Sequence, residues 1–179
     1  LRYNKAHVEP PAGINERYGR SAHMHPVWTP GGAVVTDELP PDHLHQSGIF
    51  LAYTKTKFAG RDVDFWNLAG GEARVRFKSL RSTISGPVFG EFVTEHEHVD
   101  LSADPESTDI GRTTGGQVAL NEQWTARVWS VSPNADYWLM DIASTQTCAS
   151  EKPLILPEYH YGGMAIRAAR EWTPGKVTF

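Results

Sequence analysis

The chain has a single cysteine in 179 residues, so no internal disulfide can staple it and its stability must come from a packed core. That residue, Cys148, sits in STQTCAS (144–150) with no histidine close in sequence, and reads as a small buried core residue rather than a nucleophile. No apolar run approaches the roughly 20 residues that span a bilayer, and LRYNKAHVEPP (1–11) lacks the apolar segment of a signal peptide, so no membrane partner is expected. The first residue is Leu rather than Met, which leaves the compartment open between cytoplasm and periplasm. The net charge is −4 and the lysines and arginines are scattered without a basic stripe, which argues against nucleic acid as a partner. There is no internal repeat, no HExxH and no capped stretch with apolar residues at i, i+3, i+4 and i+7. Solenoids, zincin-type proteases and helical bundles are thereby set aside.

Aromatic bulk is abundant, with six Trp, six Tyr and seven Phe, and 40% of the chain is hydrophobic, enough for one sizeable core. The segments 73–82, 88–101, 116–131 and 135–147 are rich in β-branched and aromatic residues and carry polar/apolar alternation, the pattern of half-buried strands. Turn signals part them: NLAGGE (67–72), SGP (85–87), the polar run 103–116 and SPNAD (132–136). Short connections between long strands predict antiparallel neighbours, hence an all-β antiparallel sandwich forming one domain over 1–179. One short helix is expected over Asp42–Ser47, after Pro40 and Pro41. The final VTF (177–179) reads as a strand cut off as it begins. That predicts a missing C-terminal portion or a sheet completed by a second chain or a second copy.

Chemistry concentrates in DELPPDHLHQSGIF (37–50) and SAHMHPVWTPGG (21–32), which hold four of the eight histidines. On an extended strand, residues at i and i+2 share a face, so His23/His25 and His43/His45 could each offer two imidazoles to one pocket that also includes Asp42. In YHYGGMAIR (159–167), alternation predicts Tyr159 and Tyr161 on one strand face and His160 on the other. Arg167 and Arg170 offer forks for a carboxylate, phosphate or diol, or else pair plainly with Glu158 and Glu171. Glu122 and Trp124 share a strand face, and a carboxylate beside an indole suits a sugar, although a surface Glu on a strand with a core Trp fits as well. His96 and His98, amid Glu95, Glu97 and Asp100, are expected on a solvated outer face.

A divalent metal at His25, His43 and His45 stays open, yet no Glu follows His43-x-His45 within four residues as a cupin-like site would have. No cofactor is therefore predicted. Three readings remain: an enzyme using histidine and carboxylate acid–base chemistry on a sugar (His25, His43, His45, Glu122 and His160 catalytic; Asp42, Trp124, Tyr159, Tyr161, Arg167 and Arg170 binding), a metal-dependent oxygenase or hydrolase, or a non-catalytic carbohydrate-binding module.

Three ordered motifs carry a resemblance: residues 25–67 from HPVWTPGG to DFWN, LNEQWTARVW (120–129) and PEYHYGGMAIRAAREW (157–172). Together they resemble the soluble bacterial family usually labelled "methane oxygenase PmoA", over the first two thirds of its members. With no membrane-spanning run in this chain, methane oxidation is not part of the expectation. The resemblance implies a galactose mutarotase-like supersandwich, a fold that hosts epimerases, lyases and carbohydrate-binding domains.

Overall fold

A computed structural model describes residues 1–102, 115–132 and 134–172. Within them the chain is built of strands: β1 (Tyr3–Asn4), β2 (His23–Met24), β3 (Ile49–Ala52), β4 (Thr56–Phe58), β5 (Arg61–Val63), β6 (Ala73–Ser85), β7 (Phe89–Asp100), β8 (Gln117–Trp129), β9 (Leu139–Cys148), β10 (Leu154–Ile155) and β11 (Gly163–Ile166). The four segments with the clearest alternation became β6 to β9, an antiparallel sheet in sequence order. A second antiparallel sheet runs β1-β2-β3-β11, and a small one β10-β4-β5. No helix among the described residues is long and apolar enough to cross a membrane. The connection expected over 103–116 lies mostly outside the described residues, as does VTF (177–179).

The two larger sheets form a sandwich. Met24, Ile49 and Leu51 from one pack against Trp124 and Ala126 from the other, with Phe92, Met140 and Ile142 at the margin. The other face of β3, Phe50 and Ala52, joins Phe58, Val63, Phe65, Trp66, Ala73 and Val75 in a second cluster beneath the β4–β5 hairpin. β3 is thus buried on both faces, which is why IFLA reads as an uninterrupted apolar run rather than an alternating one.

The helix expected over Asp42–Ser47 does not form. That stretch makes tight turns instead, closed by His43 N–H to the Pro40 carbonyl (2.9 Å) and Gln46 N–H to the His43 carbonyl (2.9 Å), and short 3-10 turns lie at Glu16–Tyr18 and Leu68–Gly70. The turns end at Gly48, whose φ of +54° falls in the left-handed region and whose Cα faces the Met24 carbonyl so closely that a Cβ would overlap it. Gly48→Ala should therefore force β2 away from β3. We expect a loss of about 3 kcal/mol or more, read as a lowered midpoint in urea. Cys148 is exposed at the end of β9 rather than buried, because β9 is an edge strand with no neighbour beyond it among the described residues.

Candidate functional site

Backbone pairing explains how two distant stretches meet. Residues 37–48 fold back on themselves (Glu38 bridged to Ser47, Leu39 N–H to the Gln46 carbonyl at 3.0 Å) and lie beside the segment after β11. Asp37 N–H bonds the Arg167 carbonyl (2.9 Å), Arg167 N–H bonds the Gly48 carbonyl (2.8 Å), and Thr36 bridges Ala168. In that register Arg167 donates through Nη2 to both oxygens of Asp42 (2.9 and 3.1 Å) and through Nη1 to Gln46 (3.1 Å). Arg170 grips Asp37 with a true two-nitrogen fork, Nε to one carboxylate oxygen (2.9 Å) and Nη2 to the other (3.1 Å). The partners are these loop aspartates, not Glu158 and Glu171.

His43 and His45 stand on this loop. His43 Nδ1–H donates to Asp42 (2.8 Å), which leaves Nε2 as the acceptor of that ring. That bond first, then Arg167, hold the Asp42 carboxyl down at about 2. The His45 ring lies edge-on to His43 (5.7 Å between centroids) and 6.5 Å from Trp66. Rings continue outward from there: Trp66 to Tyr161 at 5.4 Å, Tyr161 to Tyr159 at 5.0 Å and to His160 at 4.9 Å, Tyr159 to His160 at 4.2 Å. Residues 159–161 lie outside any strand, so the expected split of faces does not apply and all three rings pack together. Tyr159 and Tyr161 are 40% and 39% exposed, while Trp66 is anchored in the core at 6%.

His45 is the electrostatically unusual member. Burial first, then the neighbouring His43 ring and the Arg20 guanidinium, push its imidazole down to about 4 against the opposing pull of Asp64. It is neutral at neutral pH and can accept a proton. Arg20 itself is buried, donates to the His45 carbonyl (3.2 Å) and stacks over Phe50 (4.4 Å), fixing the loop from beneath.

The other His-x-His pair has partners of its own. His23 is sealed in the interior with Nε2 2.7 Å from Glu38, and His25 Nδ1 lies 2.9 Å from the Thr36 hydroxyl; neither bonds His43 or His45. Among the described residues, no group of three or more His, Cys, Asp and Glu side chains stands close enough to hold a metal ion.

A second polar cluster lies inside the sandwich, where sequence reasoning put solvent. His96 and His98 are buried, correcting the expected outer face; Glu95 and Glu97 take that face instead and pair with Arg81 (2.9 Å), Arg76 (2.7 Å) and Lys78 (3.1 Å). Register sets His96 opposite Glu122 and Glu122 opposite Gln146. The Glu122 carboxylate accepts from His96 Nδ1 (3.3 Å), His98 Nε2 (3.1 Å), Trp124 Nε1 (2.7 Å), Ser144 (2.5 Å) and Gln146 (3.2 Å). Tyr3 reaches His96 Nε2 (2.7 Å), and Tyr53 donates to Gln146 (2.8 Å). Burial raises the Glu122 carboxyl, but the bonds from His96 and His98, the His98 charge and Ser144 outweigh it and hold the group well below the usual carboxylate range. Burial above all, with the Glu122 charge, keeps the Tyr3 phenol up, so it donates rather than ionises. Glu122 and Trp124 therefore sit within the core, where Trp124 is wholly enclosed.

Residues 1–179 match DUF6807, described as a family of unknown function. The chain belongs to the DUF6807 family. No curated protein and no solved structure is significantly similar to it. For this member of DUF6807, then, the site rests on geometry. The partners that sequence reasoning missed are Gln46 on the loop and the buried Trp66 beneath the exposed rings, and Ser144 and Gln146 inside the sandwich. For the last two a signal existed: their spacing on one strand matches that of Trp124 and Glu122 on the next.

Proposed function

We propose that this protein binds a carbohydrate or sugar derivative on the ring cluster of Trp66, Tyr159, His160 and Tyr161, and acts on it by acid–base chemistry through His45 and His43. The observation that carries this reading is the continuity of rings from two exposed tyrosines inward to a neutral imidazole. Aromatic faces with polar tips suit the C–H faces and hydroxyls of a sugar, and the imidazole lies at the inner end of that platform. His45, uncharged at neutral pH, takes the proton; His43, oriented by Asp42, is the second proton-transfer group. Asp42, itself held by the Arg167 guanidinium, keeps His43 in one tautomer. The supersandwich resemblance points the same way at the level of fold analogy.

Binding is tested by calorimetric titration of the protein and of Tyr161→Ala with a panel of glycosides. The reading expects saturable binding weakened about tenfold or more by the substitution, and it fails if none of the panel binds. Arg167→Lys tests the scaffold. Arg167 serves Asp42 from Nη2 and Gln46 from Nη1 at once, which a single ammonium cannot reproduce, so turnover should fall about tenfold while the thermal midpoint moves by no more than a few degrees.

A further inference from the structure

Beside the ring cluster lies a cleft of about 480 Å3, lined by Lys55, Lys57, Asp62, Asp64, Glu72 and Tyr159 together with Val63 and Pro157. Its size falls in the range of roughly 300–1,000 Å3 typical of small-molecule sites. Two elements join it to the ring cluster. Tyr159 lines the cleft and packs on both His160 and Tyr161. Asp64 also lines it, and accepts from Thr54 Oγ1 (2.9 Å), Trp66 N–H (2.8 Å), Asn67 N–H (2.9 Å) and Asn67 Nδ2 (2.8 Å), so the cleft wall and the Trp66 indole are set by one rigid turn.

The lining chemistry is mixed. Two ammonium groups donate, the Asp62 and Glu72 carboxylates accept, Asp64 being filled by its own four donors, and the Tyr159 ring is part of the wall, a set that fits hydroxyls better than a single formal charge. The Lys57–Asp62 pair (2.7 Å) is largely exposed on both sides, so it is weak and readily exchanged for bonds to a ligand. Lys55 adds a separate observation: it is exposed and holds φ at +54°, a left-handed conformation that a glycine would adopt without strain. Among the described residues Ala22, Leu39 and Ala59 share this non-glycine conformation, but only Lys55 also lines the cleft and carries a long donor side chain there.

We infer that this cleft is a second glycosyl subsite, continuous with the ring cluster through Tyr159, and that the ligand is an oligosaccharide rather than a free monosaccharide. The inference rests on the sugar-binding reading of the ring cluster. Calorimetry with methyl glycosides of glucose, galactose, mannose and xylose, and with the corresponding trisaccharides, tests it. At least one trisaccharide should bind about tenfold tighter than its methyl glycoside. Lys55→Gly and Glu72→Gln should each weaken that trisaccharide about fivefold and leave the methyl glycoside unchanged, with Lys55→Gly no less stable to heat than the parent. Equal affinity for short and long ligands, or variants that affect both alike, would overturn the second subsite while the ring-cluster reading stands. Absence of binding to every compound would overturn both.

Discussion

Glu122→Ala is expected to destabilise the protein by about 3–5 kcal/mol, the cost of breaking a buried charged network by removing one partner. Five donors converge on that carboxylate from three neighbouring strands, and alanine would leave His96, His98, Trp124, Ser144 and Gln146 without their shared acceptor. At this chain length such a loss lowers the thermal midpoint by about 6–20 °C. Glu122→Gln keeps the shape but turns an amide N–H2 toward donors, so its cost should fall between those of alanine and the parent. The same carboxylate sets an acid limit. Its folded pKa lies below the unfolded one, so its contribution is complete above the ordinary carboxylate range and is lost as pH falls from about 4.5 toward the depressed folded value. In Glu122→Gln this part of the acid sensitivity should be missing, as urea midpoints measured across pH would reveal.

Under the proposed acid–base reading, His45→Ala should reduce turnover of the sugar ligand by about 10²–10⁴-fold, the range for loss of a positioned general base. Its effect on the fold should be small, because the imidazole is half-buried on a loop whose closure depends on backbone bonds and on Arg167. Two controls separate chemistry from structure. Substrate affinity should change far less than the turnover number, and the far-ultraviolet circular dichroism should be unchanged. Because its surroundings push the His45 imidazole down to about 4, turnover by the parent protein under the proposed reading should persist well below the ordinary histidine range on the acid side. An acid limb centred near about 6.5 would assign the base to a different histidine.

The long strands were legible in the sequence because alternation over ten or more residues is a strong signal, and β6 to β9 carry it. The same alternation was misjudged at TEHEHVD. Charge density suggested an exposed strand, yet a strand has two faces, and Glu95 and Glu97 alone met the basic residues of β6 while His96 and His98 turned inward. Only the register with β8, which sets His96 against Glu122, reveals an interior acceptor for them. At the surface, the density of His43, His45 and Asp42 marked a site region, but the two His-x-His pairs could not be told apart by spacing. His23 fell on a strand facing inward, whereas His43 and His45 fell on turns. The Arg167–Asp42 and Arg170–Asp37 pairs join residues more than a hundred positions apart, and only the ladder between 37–48 and 167–169 brings them together.

Nitrogen-15 NMR of the histidine side chains, followed from about pH 8 to about pH 3.5 with and without the tightest-binding glycoside, tests the role of His45 most directly. One imidazole, assigned through its loss in His45→Ala, should stay neutral until about pH 4, and its ring nitrogens should shift when the sugar is added. A His45 ring that titrates near about 6.5, or one whose resonances ignore a bound sugar, would contradict acid–base chemistry at this site.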